Sequence, residues 1–196
     1  DNRRDELPPA VYQRLDYVRA QMQGFVEQML YYARLKSRQK DYLFESLSLI
    51  ECCEEALENY QPLLNERGFR ITKELPRLFI LSDRRGLLFI INQILSNAVT
   101  YTQNTEVPEL HLTAEQTERS VILRIRDNGI GVQPWDLPFL FEKGFTGDIG
   151  KARKKATGMG LYLANEMAKA LKIELEVCSQ PQKGFEMIVL FPTIDS

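Results

Sequence analysis

Cysteine is scarce here: Cys52, Cys53 and Cys178 are the only three. An odd number without ligand-like spacing argues against a disulfide framework or a zinc site and predicts reduced thiols. Long hydrophobic runs are missing too, and none approaches the roughly 18 residues of a membrane span. Charge of one sign is not in excess, since 25 basic residues stand against 27 acidic ones, a net charge of −2. Nothing in that balance asks for nucleic acid or an anionic membrane surface as a partner. Internal repeats and low-complexity segments are absent. The opening Asp1-Asn2-Arg3-Arg4-Asp5-Glu6 has no initiator Met and does not resemble a signal peptide, as expected of an interior piece of a longer protein. Histidine occurs once, as His111 within Glu109-Leu110-His111-Leu112-Thr113, where it reads as an outward-facing strand residue.

What is present is a chain of 196 residues, 44% apolar and 27% charged, long enough to bury a sizeable core. Pro8-Pro9 opens a helical pattern. Apolar residues then recur at Val11, Leu15, Val18, Met22, Phe25, Met29 and Tyr32, in alternating steps of four and three. That is the seam of a coiled coil or helical bundle, and Val26, Leu30 and Ala33 widen it in favour of a bundle. A polar stretch, Lys36-Ser37-Arg38-Gln39-Lys40-Asp41, reads as a hinge. Residues 1–41 are therefore expected to form one unit and 42–196 another.

From Tyr42 onward short strands alternate with helices. Strands are predicted over Leu43–Leu49, Phe69–Glu74 and Phe79–Leu81. Ile50–Arg67 reads as an amphipathic helix with a possible kink at Pro62 and a stop at Gly68. Ser82-Asp83 is a helix cap before Leu87–Thr102. Strands at Glu109–Glu115 and Ser120–Arg126, a helix at Gly160–Leu171, and a closing hairpin of Glu174–Ser179 and Phe185–Phe191 complete the reading. The expected fold class is α+β, a two-layer α/β sandwich preceded by one long helix.

Four short segments carry chemistry. The first, Asn92-Gln93-Ile94-Leu95-Ser96-Asn97 and on to Tyr101, lies on a helix where Gln93 and Asn97 share a face. The amide oxygen of Asn97 suits Mg²⁺, which prefers oxygen ligands. The second, Asp127-Asn128-Gly129-Ile130-Gly131, follows a strand directly. A carboxylate there can accept from the exocyclic amino group of adenine, where guanine presents a carbonyl, and the glycines allow close backbone approach. The third is the loop Glu142–Thr157. It has Lys143, Lys151, Arg153, Lys154 and Lys155 against Glu142 and Asp148, and Gly144, Gly147 and Gly150 for mobility, the properties a lid over a polyphosphate needs. Phe139, Phe141 and Phe145 at its start are candidate anchors to the core. The fourth, Gly158-Met159-Gly160-Leu161, opens a helix whose free N–H groups and dipole favour phosphate. No Lys-Ser/Thr pair follows it and no strand directly precedes it, which excludes a P-loop and disfavours a Rossmann turn.

In this order the four segments resemble the N box, first glycine box, phenylalanine box and second glycine box of the histidine kinase ATP-binding domain. That domain is shared with DNA gyrase, the Hsp90 chaperones and MutL. The resemblance runs from about Leu43 to Pro192. Tyr31-Tyr32-Ala33-Arg34, Asp41-Tyr42-Leu43 and Phe141-Glu142-Lys143-Gly144-Phe145-Thr146-Gly147 resemble one subgroup, the intramembrane-sensing kinases of Gram-positive bacteria linked to peptide-antibiotic transporters.

The resemblance implies ATP and Mg²⁺ as cofactors and a transferase that phosphorylates a histidine in its own dimer. Asn97 would hold Mg²⁺, Tyr101 would pack on base or sugar, and Asp127 would read adenine with Gly129 and Gly131 lining its pocket. Lys143 would approach the phosphates, and Gly158 and Gly160, with Leu161 beside them, would cradle them. Partners would be a second copy through the dimerisation helix, a response regulator and an antimicrobial-peptide ABC transporter. The location would be the cytoplasmic side of a membrane-anchored parent.

Two departures stand out. Thr100 occupies the place of a basic residue, and Gln93 that of the Glu which activates water in the ATPase branch. A Gln cannot take that proton, so transfer to a protein nucleophile is the expected reaction. The sole imidazole, His111, lies on a strand, so the phosphoacceptor is expected on a helix preceding residue 1. The competing readings are a degenerate interaction module without turnover and a gyrase- or Hsp90-type ATPase.

Overall fold

The chain divides into two units, residues 1–40 and 41–196. The computed structural model describes residues 26, 30, 42–102, 105–147 and 157–192. In the first unit Val26 and Leu30 are helical and exposed, at 53% and 58%. The rest of the expected long helix and its hinge lie outside the described residues.

The second unit opens with β1 (Phe44–Ser48), α1 (Leu49–Glu66), β2 (Arg70–Glu74), β3 (Phe79–Asp83) and α2 (Arg84–Tyr101). It continues with β4 (Glu109–Gln116), β5 (Ser120–Asp127), α3 (Gly160–Ala170), β6 (Glu174–Ser179) and β7 (Phe185–Pro192). Five strands form one mixed sheet in the order β2-β4-β5-β7-β6, and β1 pairs with β3 in a separate antiparallel ribbon. Only β2 and β4 run parallel in the larger sheet.

Alternation in these strands divides the sheet's two faces. Leu110 and Leu112, Val121, Leu123 and Ile125, and Met187, Val189 and Phe191 are buried on the face that carries the helices. The residues between them, such as His111, Arg124, Arg126 and Glu186, lie on the other face. His111 is thus an exposed strand residue, as expected. A second buried stripe comes from helical spacing, with Leu49, Cys52, Cys53, Ala56, Leu57 and Leu64 on α1. Cys52 and Cys53 are free buried thiols, and burial pushes Cys53 up to about 12, so they act as small core hydrophobes.

Local signals explain the helix ends. Gly68, at φ 66°, stops α1, with the Phe69 N–H donating to the Leu64 carbonyl at 3.0 Å. Arg67 donates to the Val99 carbonyl at 2.7 Å and so satisfies one of the last acceptors of α2. Asp83 caps α2, as expected, and the helix starts directly after it at Arg84, three residues before Leu87: Oδ1 accepts from the Gly86 N–H at 2.8 Å. Its other oxygen accepts from the Leu43 N–H at 2.9 Å, tying the entry of β1 to β3. Gly86 lets α3 approach α2, since a Cβ there would lie 2.8 Å from Leu171 Cδ1. Helix α1 continues through Pro62, and β1 ends at Ser48, with Leu49 already helical.

Replacement of Asp83 should therefore be felt in two elements. Asp83→Ala should lower unfolding stability by about 1–2 kcal/mol, measured by urea denaturation. Asp83→Asn, which still caps, should recover most of the loss.

Candidate functional site

The C-terminal half of α2 places Gln93 and Asn97 one turn apart, both half-buried, with Tyr101 a further turn on. Thr100 turns its hydroxyl back to the Ser96 carbonyl at 2.7 Å, so that group serves its own helix. The Tyr101 carbonyl accepts from the Ile130 N–H at 3.3 Å, joining the end of α2 to the loop after β5.

Asp127 ends β5 and is only 4% exposed. Oδ1 accepts from the Gly129 N–H at 2.8 Å, and the Phe185 N–H of β7 also donates to the carboxylate. Burial raises its pKa from 3.8 to about 6. The two backbone donors and the Arg126 charge act the other way and only partly offset it. A carboxylate kept from water and aimed by fixed donors fits selective reading of one neutral donor group.

The glycines of this region are required by the protein's own backbone. A Cβ at Gly129 would lie 2.7 Å from the Tyr101 carbonyl oxygen. One at Gly131, which has φ 64°, would run into the Gln180 carbonyl oxygen. The expectation that these glycines admit a ring thus acquires a nearer cause. Asn128 was not singled out from the sequence, yet its amide accepts from the Glu109 N–H at 2.8 Å and donates to the Val107 carbonyl at 2.9 Å. That bridge holds the start of β4 against the end of β5.

Gly158 and Gly160 lie beside the root of the lid and the N box. The Gly144 N–H donates to the Gly158 carbonyl at 3.0 Å, and a Cβ at Gly158 would sit 2.6 Å from the Phe145 oxygen. The two ends of the lid are thereby joined. A Cβ at Gly160 would lie 2.9 Å from Gln93 Oε1, so the amide of Gln93 occupies the space above the start of α3. Leu161 follows in the first turn and is half-buried. This turn has no acidic residue, and the capping residue, Met159, makes no side-chain cap. Its N–H groups suit an anion.

Lys143 is exposed at the lid's start, and the lid's other basic residues lie outside the described residues. Phe141 and Phe145 are half-buried, but Phe139 does not anchor the lid in the core. Phe139 is 44% exposed and packs instead on Phe145, with ring centroids 5.9 Å apart. Phe139 is carried by the 3₁₀ turn at Leu137–Phe139, and the two rings are tilted by 36°. Among the described residues no group of three or more His, Cys, Asp or Glu could hold a metal. The N-box face carries the amide oxygens of Gln93 and Asn97, a donor set so sparse that it suits an ion shared with phosphates rather than one caged by protein.

A sequence profile described as Histidine kinase-, DNA gyrase B-, and HSP90-like ATPase matches residues 82–195, a span that contains all four boxes. The chain belongs to this ATPase family. It is 31% identical over 179 residues to the sensor protein BceS of Halalkalibacterium halodurans, covering 91% of this chain and 53% of that one. It is 30% identical over 181 residues to the sensor protein kinase GraS of Staphylococcus aureus, covering 92% and 51%. The chain thus spans about half the length of these relatives. Among solved structures, the histidine kinase AdeS of Acinetobacter baumannii superposes with a TM-score of 0.73 at 18% identity, covering 95% of this chain and 86% of that one. ShkA in complex with AMPPNP gives 0.74 at 22%, covering 97% and 41%. These two establish the family's α/β sandwich, with helices packed on a mixed sheet.

The raised pKa of Asp127 has a consequence for stability. Protonated Asp127 favours the fold, and that contribution is complete below 3.8 and lost as pH rises through about 6. The difference at neutral pH is roughly 3 kcal/mol. In the nucleotide-free protein, Asp127→Asn should gain stability relative to the parent between about pH 4 and pH 7. Denaturation midpoints across that range measure it, and a constant difference would contradict the buried ionised carboxylate.

Proposed function

We propose that this chain is the MgATP-binding catalytic part of a two-component sensor histidine kinase, a protein-histidine kinase that passes the γ-phosphate to a histidine on a dimerisation helix. The observation that carries the reading is the buried, doubly backed carboxylate of Asp127 in a family that binds ATP. The named sensor kinases among its relatives match over nine-tenths of this chain, which supports the same conclusion.

The roles follow from chemistry. Asp127 accepts from the adenine amino group, with the loop of Gly129 and Gly131 around it and Tyr101 packing on base or sugar. The N-terminal turn of α3, entered through Gly158, Gly160 and Leu161, receives phosphate oxygens, and Lys143 and its lid approach them from the other side. Bound Mg²⁺, held by Asn97 and the phosphates, would neutralise charge developing on the transferred group. Gln93 orients groups beside it but takes no proton, so water is left without a general base and a protein nitrogen becomes the productive acceptor. His111 lies on the sheet face opposite the helices and is not that acceptor. The wider partners are a second copy of the chain, a response regulator and a peptide-antibiotic transporter, with the parent anchored in the cell membrane. Among the described residues no helix is long and apolar enough to cross one.

Three measurements test the reading. Asp127→Ala should weaken binding of a non-hydrolysable ATP analogue roughly ten- to a hundredfold. Asn97→Ala should lose the gain in affinity that Mg²⁺ confers, and a retained gain would remove Asn97 as the ligand. With labelled ATP the chain should phosphorylate a separately supplied histidine-bearing helix able to pair with residues 11–32, and should leave His111 unlabelled. Stable phosphate on His111 would overturn the acceptor assignment.

A further inference from the structure

The turn between β6 and β7, residues 180–184, rests on the first glycine box. The Gln182 N–H donates to the Ile130 carbonyl at 2.8 Å. Gly184, at φ 89°, lies so close to the Asp127 carbonyl oxygen that a Cβ would collide with it. The next residue, Phe185, gives its N–H to the Asp127 carboxylate. One side chain joins these contacts. The half-buried hydroxyl of Ser179 accepts from the Val132 N–H at 3.0 Å and donates to the Gly184 carbonyl at 2.7 Å. It is bonded at once to the loop that leaves Asp127 and to the residue preceding the donor that aims Asp127.

We propose that Ser179 is a positioning residue for base recognition: its hydroxyl clamps the β6–β7 turn onto residues 127–132 and so fixes the direction of the Asp127 carboxylate. The inference rests on the reading of Asp127 as the adenine-selective group. Ser179 makes no hydrogen bond to that carboxylate and acts through Gly184, Phe185 and Val132. Without the hydroxyl, two backbone groups lose a partner, and the turn that carries the Phe185 donor is held by fewer bonds. A carboxylate free to swing accepts from adenine less well and excludes guanine less well, because selectivity here comes from orientation.

The test compares the parent, Ser179→Ala and Ser179→Thr in binding AMPPNP and its guanine counterpart, with and without Mg²⁺. Ser179→Ala should lose roughly five- to tenfold in AMPPNP affinity and narrow the adenine-to-guanine ratio, while the Mg²⁺ gain, which belongs to Asn97, stays. Ser179→Thr, which keeps the hydroxyl, should restore the ratio. A general loss of folded protein would lower both nucleotides together and leave the ratio alone. An NMR titration of the Asp127 carboxyl carbon in the nucleotide-free protein gives a second readout. It should move upward in Ser179→Ala, because a loosened Phe185 donor no longer opposes burial, whereas Gly129 and Arg126 remain. A parent that discriminates, with an unchanged ratio and an unchanged titration in Ser179→Ala, overturns the clamp alone. A parent that binds both nucleotides equally overturns the base-reading role and this inference with it.

Discussion

Holding one carboxylate out of water is the requirement around which the second unit is built. Asp127 lies at the end of the central strand, almost fully buried, and its ionised form is tolerable only because backbone N–H groups are fixed upon it. One donor comes from the loop just beyond it and the other from a strand far away in the chain. Fixing both requires backbones to meet without side chains between them. The Tyr101 carbonyl against Gly129, the Gln180 carbonyl against Gly131 and the Asp127 carbonyl against Gly184 are three expressions of that single demand.

The same crowding organises the end of the domain where α2 meets α3. Gln93 stands over Gly160, so the N-box helix and the start of α3 are set by direct contact. Gly144 and Gly158 are bonded to each other, so the lid departs from and returns to one place on the body. Arg67 on the Val99 carbonyl near the C-terminus of α2 and Asp83 at its N-terminus fix that helix along its axis. Asn97 and Tyr101 inherit their positions from these two ends.

Much of this was legible in the sequence, for reasons of range. Helix stops such as Gly68, the Asp83 cap and strand alternation in Val121–Ile125 depend on neighbours a few residues away, and they read correctly. The four boxes were visible because each is a short local string. What stayed hidden depends on segments that meet only after folding. The parallel pairing of β2 with β4 leaves no trace in either strand. Ser179 and Asn128 look like ordinary turn-forming polar residues until their partners are known. Phe139 at the lid root misled in the other direction. Its apolarity suggested burial, whereas it is largely exposed and packs on Phe145.

The order of strands also constrains how the protein comes into being. Asp127 pairs in register with Phe185, and the two are separated in the chain by the lid and all of α3. During synthesis the central strand β5 therefore emerges with β4 on one side and an open edge on the other. That edge stays without its partner until β7 leaves the ribosome. Such long-range closure is slow and leaves a template for mispairing while it is pending. It also means that the carboxylate gains its second donor at the same moment that the sheet is completed. A nascent chain cannot acquire a finished nucleotide pocket early; the capacity to bind waits for β7.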